Sequence, residues 1–274
     1  MLGKEQPVCA RLSATRNDGE HRTMKLMPRC SIAARRAAAA LVAAALLLAA
    51  PAHARRKKPN DPVERRTFTF NGVHRTYFCL IPGAPDPRAP LPVVVLLHGS
   101  DHVGSEMTSA WRGLASQQGF ILVAPNSLHT EVWNLQSDSP AFLHAAVQQV
   151  AALHPIDPNR IYLFGHSGGA NYAIVLALLD SQYFAAVGAH AGSLDPANRN
   201  LFQFARRKTP IALWVGDQDP LFPVTTAMET RDMFAAHGFP VQLTVIPNHG
   251  HFYEAVSQPV DQQAWEFFRR NPLP

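Results

Sequence analysis

The sequence predicts an α/β domain built on a mostly parallel sheet with helices on both faces. Three observations carry that prediction. From about residue 65 onward, short β-branched runs alternate with helix-compatible segments. Two of those runs, Val93-Val94-Val95-Leu96-Leu97 and residues 211–215, have no polar face, as expected of strands covered on both sides. Between them Ile161-Tyr162-Leu163-Phe164 enters a glycine-pinched turn, Gly165-His166-Ser167-Gly168-Gly169, and a small-residue run over 170–179 leaves it. That order is strand, tight turn, helix.

The first part of the 274-residue chain does not read as folded domain. Arg35-Arg36 precede an almost pure Ala/Leu/Val stretch over 37–50, and Ala52-His53-Ala54 supplies an A-x-A-like cleavage site. Basic region, short apolar run and small-residue site together describe a secretory signal peptide. The apolar run is short for a membrane span of about 20 residues, so a membrane association is expected only if this segment stays uncleaved. Residues 1–23 are long and polar for such a leader, which makes Met24 and Met27 candidate starts. The expected organisation is a leader over 1–54, a linker over 55–64 and one domain over 65–274, secreted or periplasmic. Residues 1–54 hold 8 Lys/Arg against 3 Asp/Glu, whereas the remainder holds 17 of each sign. The basic balance therefore belongs to the leader, and no nucleic-acid surface is expected. Cys79 is the one cysteine after residue 54, so no intramolecular disulfide can form there, and a buried apolar role is expected for it.

Taken in order, residues 66–70 and 74–81 alternate, and Asn71-Gly72 between them predicts a hairpin. Five prolines over 82–92 make that stretch a loop. A helix is predicted over 107–118 and a strand over 121–124. A polar loop over 125–139 holds Trp133, and Ser139-Pro140 are expected to cap and open a helix through residue 153. After the glycine-pinched turn come strands over 185–189, 211–215 and 242–246. A helix over 225–237 ends at Gly238, and a closing helix runs from about 260 to 270. No internal repeat or inserted second domain is visible.

The turn has a chemical reading. A serine on a strained strand-to-helix turn points its hydroxyl out of the sheet, flanking glycines make room for backbone, and the helix N-terminus favours developing negative charge. The stretch Ile156-Asp157-Pro158-Asn159-Arg160-Ile161-Tyr162-Leu163-Phe164-Gly165-His166-Ser167-Gly168-Gly169 resembles the esterase and polyhydroxybutyrate-depolymerase/feruloyl-esterase group of the α/β-hydrolase superfamily. The resemblance runs from about Arg65 to the C-terminus. It implies the α/β-hydrolase fold, a Ser-His-Asp triad in the chain order serine, acid, histidine, and no cofactor. The stretches where a lid would sit are short, so no large lid domain is expected.

A serine needs a base, and the base needs an acid to hold its tautomer. Asp217 and Asp219 both fill the acid slot, and His249 and His251 both fill the base slot. The resemblance favours Asp219, because Gly216-x-x-Asp219-Pro220-x-x-Pro223 is similar to the family's acid loop. It likewise favours His251 within Gly250-His251-Phe252. The oxyanion hole is assigned to the amides of Gly168, which follows the nucleophile, and Ser100, with Asp101 as the neighbouring candidate. His98-Gly99 is similar to the family's His-Gly motif, although Ser100-Asp101-His102 departs from the small or apolar residues usual after it. His98, Gly99, His166 and Trp133 are expected to line the substrate site, with Trp111 a further aromatic candidate and Phe222, Phe252 and Tyr253 narrowing the pocket.

Two competing chemistries are weak. A zinc site at His249-x-His251 lacks a third ligand at a persuasive spacing, and a calcium site at Asp217 and Asp219 lacks a spaced ligand set. The expected activity is hydrolysis of a small or oligomeric carboxylic ester through an acyl-enzyme. Alternatives are a peptidase or acyltransferase using the same triad, or a catalytically silent fold used for binding.

Overall fold

Alternation explains how the central strands are covered. In β3 (Leu91–Leu97) Val93, Val95 and Leu97 enter one core while Val94 and Leu96 enter another. The same alternation in the next strand of the sheet sends Leu163 one way and Tyr162 and Phe164 the other. A continuous apolar run is thus a strand between two hydrophobic layers. The computed structural model describes residues 61–274 apart from 84, 85 and 87; the expected leader and most of the linker lie outside the described residues.

Among the described residues the sheet has eight strands. They are β1 (Glu64–Phe70), β2 (Val73–Leu80), β3, β4 (Ile121–Pro125), β5 (Ile156–His166), β6 (Val187–His190), β7 (Ile211–Gly216) and β8 (Val241–Ile246). Their order is β1-β2-β4-β3-β5-β6-β7-β8. The β1–β2 and β2–β4 pairs are antiparallel and the rest parallel. At the first hairpin Asn71 and Gly72 take φ of 49° and 79°, the left-handed pair that a two-residue turn between twisted strands requires. The helices are α1 (Gly104–Gln118), α2 (Pro140–Ala151), α3 (Gly168–Leu179), α4 (Val224–Ala236) and α5 (Ser257–Phe268). Met107 and Trp111 of α1 share one core with Val260 and Phe268 of α5. Phe142 of α2, Ile174 of α3 and Phe234 of α4 fill the other. Cys79 is buried.

Several boundaries differ from expectation. β5 starts at Ile156, ahead of the predicted 161, because Asp157-Pro158-Asn159 is extended and bulged, with a register shift against β3, and not a turn. β6 is displaced to 187–190. α5 begins at Ser257, since Pro259 falls in its first turn, where a missing N–H costs nothing. Ser139 precedes α2 but its hydroxyl makes no cap; its carbonyl accepts the Phe142 amide at 2.9 Å instead.

The loop from β4 to α2 is held by a buried ion pair that no local pattern announced. Arg75 on β2 and Asp138 are both buried and bridge to each other. Arg75 also donates to the carbonyls of Ser137 at 2.8 Å and Asn126 at 3.0 Å, and its guanidinium lies 3.5 Å from the centre of the Phe142 ring. Asp138 accepts the Leu128 and Asn134 amides at 2.8 and 3.1 Å. Removing the carboxylate strands a desolvated cation, so Asp138→Ala is expected to lower unfolding free energy by about 3–5 kcal/mol in urea titrations. A loss below about 1 kcal/mol would show that water reaches Arg75 freely.

Candidate active site

Every expected reactive group follows a strand at its carboxyl end: Ser100 after β3, Ser167 after β5, Asp219 after β7 and His251 after β8. The loops beyond the strands gather there, where open α/β sheets place their ligands.

Ser167 adopts φ 53° and ψ −119°, a region costly for any residue with a Cβ, of the order of 1–3 kcal/mol. The surroundings enforce it. Its amide donates to the His190 carbonyl at 3.0 Å, and its carbonyl accepts from Ala170 and Asn171 at 2.9 and 3.0 Å. Two glycines permit the approach: a Cβ on Gly165 would lie 2.2 Å from the Gly169 oxygen, and one on Gly169 would lie 2.4 Å from the Leu97 oxygen. The side chain emerges toward His251, whose Nε2 lies 2.9 Å from Ser167 Oγ. His251 Nδ1 lies 2.9 Å from Asp219 Oδ2. The other carboxylate oxygen of Asp219 accepts the Leu221 and Phe222 amides, each at 2.9 Å, and the carboxylate is fully buried. Such a carboxylate is locked in place, and it can hold His251 with Nδ1–H donating and Nε2 free to accept from the serine.

Asp217 and His249 stand outside this chain. Asp217 is exposed, and its carboxylate accepts the His249 amide at 3.2 Å, bracing the two loops against each other. His249 is buried beside His190, with ring centres 5.7 Å apart. Among the described residues no group of three or more His, Cys, Asp or Glu side chains is placed to hold a metal ion.

Ser100 and Gly168 face each other closely: a Cβ on Gly168 would lie 3.4 Å from the Ser100 amide nitrogen. Among the described residues neither amide is given an acceptor, whereas the Asp101 amide donates to the Thr130 carbonyl at 2.9 Å. The amides at 100 and 168 are thus uncommitted, while the one at 101 is taken. Gly99 packs beneath, its missing side chain leaving room for His166 and Ser167.

The expected substrate-lining set divides. Trp133 forms a wall, stacked on Tyr172 at 5.7 Å. His98 does not line the site. Its ring is fully buried, and its Nε2 accepts the Ser127 amide at 3.1 Å, so its Nδ1–H donates to the Gly99 carbonyl at 2.8 Å. It shapes the oxyanion loop from within. His166 is likewise buried, packed under His251 at 5.1 Å and paired with His190 through their Nδ1 atoms at 3.0 Å. Trp111 belongs to the core and donates to the Tyr253 hydroxyl at 2.7 Å. Phe222 stacks on the His251 ring, while Phe252 is 78 % exposed.

Tyr253, expected to narrow the pocket, is buried and does not line the cleft beside Ser100 and Gly168; it is a support whose role the sequence reading missed. Tyr253, two residues beyond His251, stacks on His166 and donates to buried Asp261 of α5. A signal existed: Asp261 lies at i to the apolar Ala264, Trp265 and Phe268 at i+3, i+4 and i+7.

Sequence comparison matches residues 127–268 to the dienelactone hydrolase family. The chain belongs to that family. Among curated proteins similar to this family member is a poly(3-hydroxybutyrate) depolymerase from Ralstonia pickettii, 28% identical over 168 residues, which are 52% of this chain and 34% of that protein. A probable feruloyl esterase C from Aspergillus niger is 29% identical over 184 residues, 61% of this chain and 64% of its own length. The chain thus spans less than two thirds of either relative. A solved thermostable esterase shares the fold, with a TM-score of 0.63 at 21% identity over 78% of this chain and 64% of that one.

Burial sets the charge state of the histidines behind the site. Desolvation pushes His166 down to about 3 and His190 down to about 2, with neighbouring histidines adding to the effect, and it lowers His98 too. These folded values lie below the unfolded value of about 6.5, so their contribution is complete above about pH 6.5 and is lost as pH falls. Asp261, raised by burial, has the opposite sign and offsets about one such proton. Unfolding free energy is expected to fall from pH 6.5 to 4.5, and His190→Gln to reduce that slope by about 1.4 kcal/mol per pH unit in denaturant titrations. An unchanged slope would show that His190 is already charged in the folded protein.

Proposed function

We propose that this chain is an exported serine hydrolase that cleaves carboxylic esters through a Ser167-His251-Asp219 triad and an acyl-enzyme intermediate. The observation that carries the reading is the unbroken hydrogen-bonded series from Asp219 through His251 to Ser167, ending beside two unused backbone amides.

Each residue then has a role set by its position. His251 Nε2 takes the proton of Ser167 as Oγ attacks the ester carbonyl. The amides of Ser100 and Gly168 receive the oxyanion. Asp219, buried and held by the Leu221 and Phe222 amides, stabilises the imidazolium through Nδ1–H. His251 returns the proton to the departing alcohol oxygen, and water admitted to the same place is activated by His251 to release the acid and restore Ser167. Phe222 and His166 hold the plane of the His251 ring throughout.

The substrate class follows the similar proteins, whose names describe depolymerisation of a hydroxyalkanoate polyester and hydrolysis of a feruloyl ester. Export rests on the basic, apolar and small-residue order of positions 35–54. The test is turnover of p-nitrophenyl acetate or butyrate by the purified protein. Ser167→Ala and His251→Ala are expected to lower kcat/KM by about 10⁴-fold or more, and Asp219→Asn by about 10³–10⁴-fold. Asp217→Asn and His249→Ala are expected to lose less than about tenfold. Equal losses at Asp217 and Asp219 would contradict the acid assignment.

A further inference from the structure

A cleft of about 460 Å³ opens beside the oxyanion loop, with Ser100 and Gly168 in its lining. A second hollow of about 400 Å³ adjoins it, and Asn171 and Val175 belong to the walls of both. Gly168, Asn171, Tyr172 and Val175 stand at i, i+3, i+4 and i+7, so a single face of α3 floors the combined groove. At 1.5 Å per residue, the stripe from Gly168 to Val175 is about 10 Å long.

The chemistry changes along that length. Beside Ser100 and Gly168 the walls are mostly apolar, Val132, Trp133, Leu135 and the Tyr172 ring, with polar Asn134 among them, its Oδ1 already accepting the Gln136 amide at 2.7 Å. At the far end they are Ser193, Asp195 and Asn198. Asn171 stands at the change. The Ser193 amide donates to its Oδ1 at 2.8 Å, which fixes the orientation of the side-chain amide and leaves its NH2 without a partner among the described residues. Exposed Asp195 uses one oxygen on the Ala197 amide. Among the described residues no Lys, Arg or His side chain lines either hollow.

The geometry of ester cleavage decides which half of a substrate enters. The carbonyl oxygen must face the amides of Ser100 and Gly168, and the departing alcohol oxygen must face His251 Nε2. The groove is lined by the former residues and by none of His251, Phe222 or Phe252. What occupies it lies on the acyl side.

We propose that this groove is an acyl subsite for an uncharged acyl group about 10 Å long, apolar next to the carbonyl and carrying a hydroxyl or amide at its far end. The inference rests on the ester-hydrolase reading of the site. Asn171 and Asn198 meet the terminal polar group, and the Asp195 carboxylate selects against an acyl group that ends in its own carboxylate.

The test keeps the leaving group constant and varies the acyl part: p-nitrophenyl acetate, octanoate, 8-hydroxyoctanoate and the mono-ester of octanedioic acid, each with the intact protein. Relative to acetate, kcat/KM is expected to rise about tenfold or more for 8-hydroxyoctanoate as added methylenes are buried. The carboxylate-ended ester is expected to trail the hydroxyl-ended one about threefold, and Asp195→Asn to close that gap, as a single exposed charge pair allows. Val175→Trp, which fills the groove where its two hollows meet, is expected to cut the octanoate-to-acetate ratio about tenfold. A flat profile with active acetate turnover would overturn the groove alone, as would an unchanged ratio in a Val175→Trp protein that still turns over acetate. Absence of turnover with every ester would overturn the ester-hydrolase reading itself, and the groove with it.

Discussion

The site depends on one strained residue. Ser167 can hold φ 53° only because β5 and α3 are clamped on either side of it, and the clamp closes only because positions 165 and 169 carry no side chain. A Cβ at either glycine would meet backbone oxygen, which cannot move aside as a flexible side chain could. The same tight turn does two chemical jobs. It lifts the hydroxyl clear of the sheet toward His251, and it starts α3 at Gly168, so the first free amide of the helix points where negative charge would develop.

The rest of the arrangement follows from parallel strands ending at one edge. The loops proposed to supply the oxyanion amides, the acid and the base come from β3, β7 and β8, and each is pinned by contacts away from the reacting atoms. His98 ties the oxyanion loop to Ser127, Asp217 braces the acid loop against the base loop, and Tyr253 anchors the chain beyond His251 to α5. Asp217 braces its loop from the surface, whereas His98 and Tyr253 are buried polar groups, costly to desolvate and present where they orient something else. The Arg75–Asp138 pair belongs to the same class, since it fixes the loop that presents Trp133 to the cleft.

What the sequence showed plainly was local. Val93-Val94-Val95-Leu96-Leu97 and Ile161-Tyr162-Leu163-Phe164 are strands because their alternation serves two cores, and the glycine-pinched turn announces itself within five residues. What it left open was decided by contacts between distant segments. Asp217 and Asp219 have the same chemistry two residues apart; the resemblance favoured Asp219, and the fold sets its Oδ2 2.9 Å from His251 Nδ1 while Asp217 accepts the His249 amide. Ser100 and Asp101 are separated by Thr130, which occupies one amide and leaves the other free. His98 read as a pocket residue because a histidine in an active-site loop invites that assignment; its full burial and its bond to Ser127 make it scaffold. Arg75 and Asp138 lie 63 positions apart, beyond any local pattern.

The central claim is that Ser167, alone among the hydroxyl groups of this chain, is activated as a nucleophile. Reaction with a fluorophosphonate followed by peptide mapping by mass spectrometry tests it without reference to any substrate. The account predicts one stoichiometric adduct, on the peptide containing Ser167, formed far more slowly in the Asp219→Asn protein. No adduct, or an adduct on another residue with Ser167 unmodified, would contradict it.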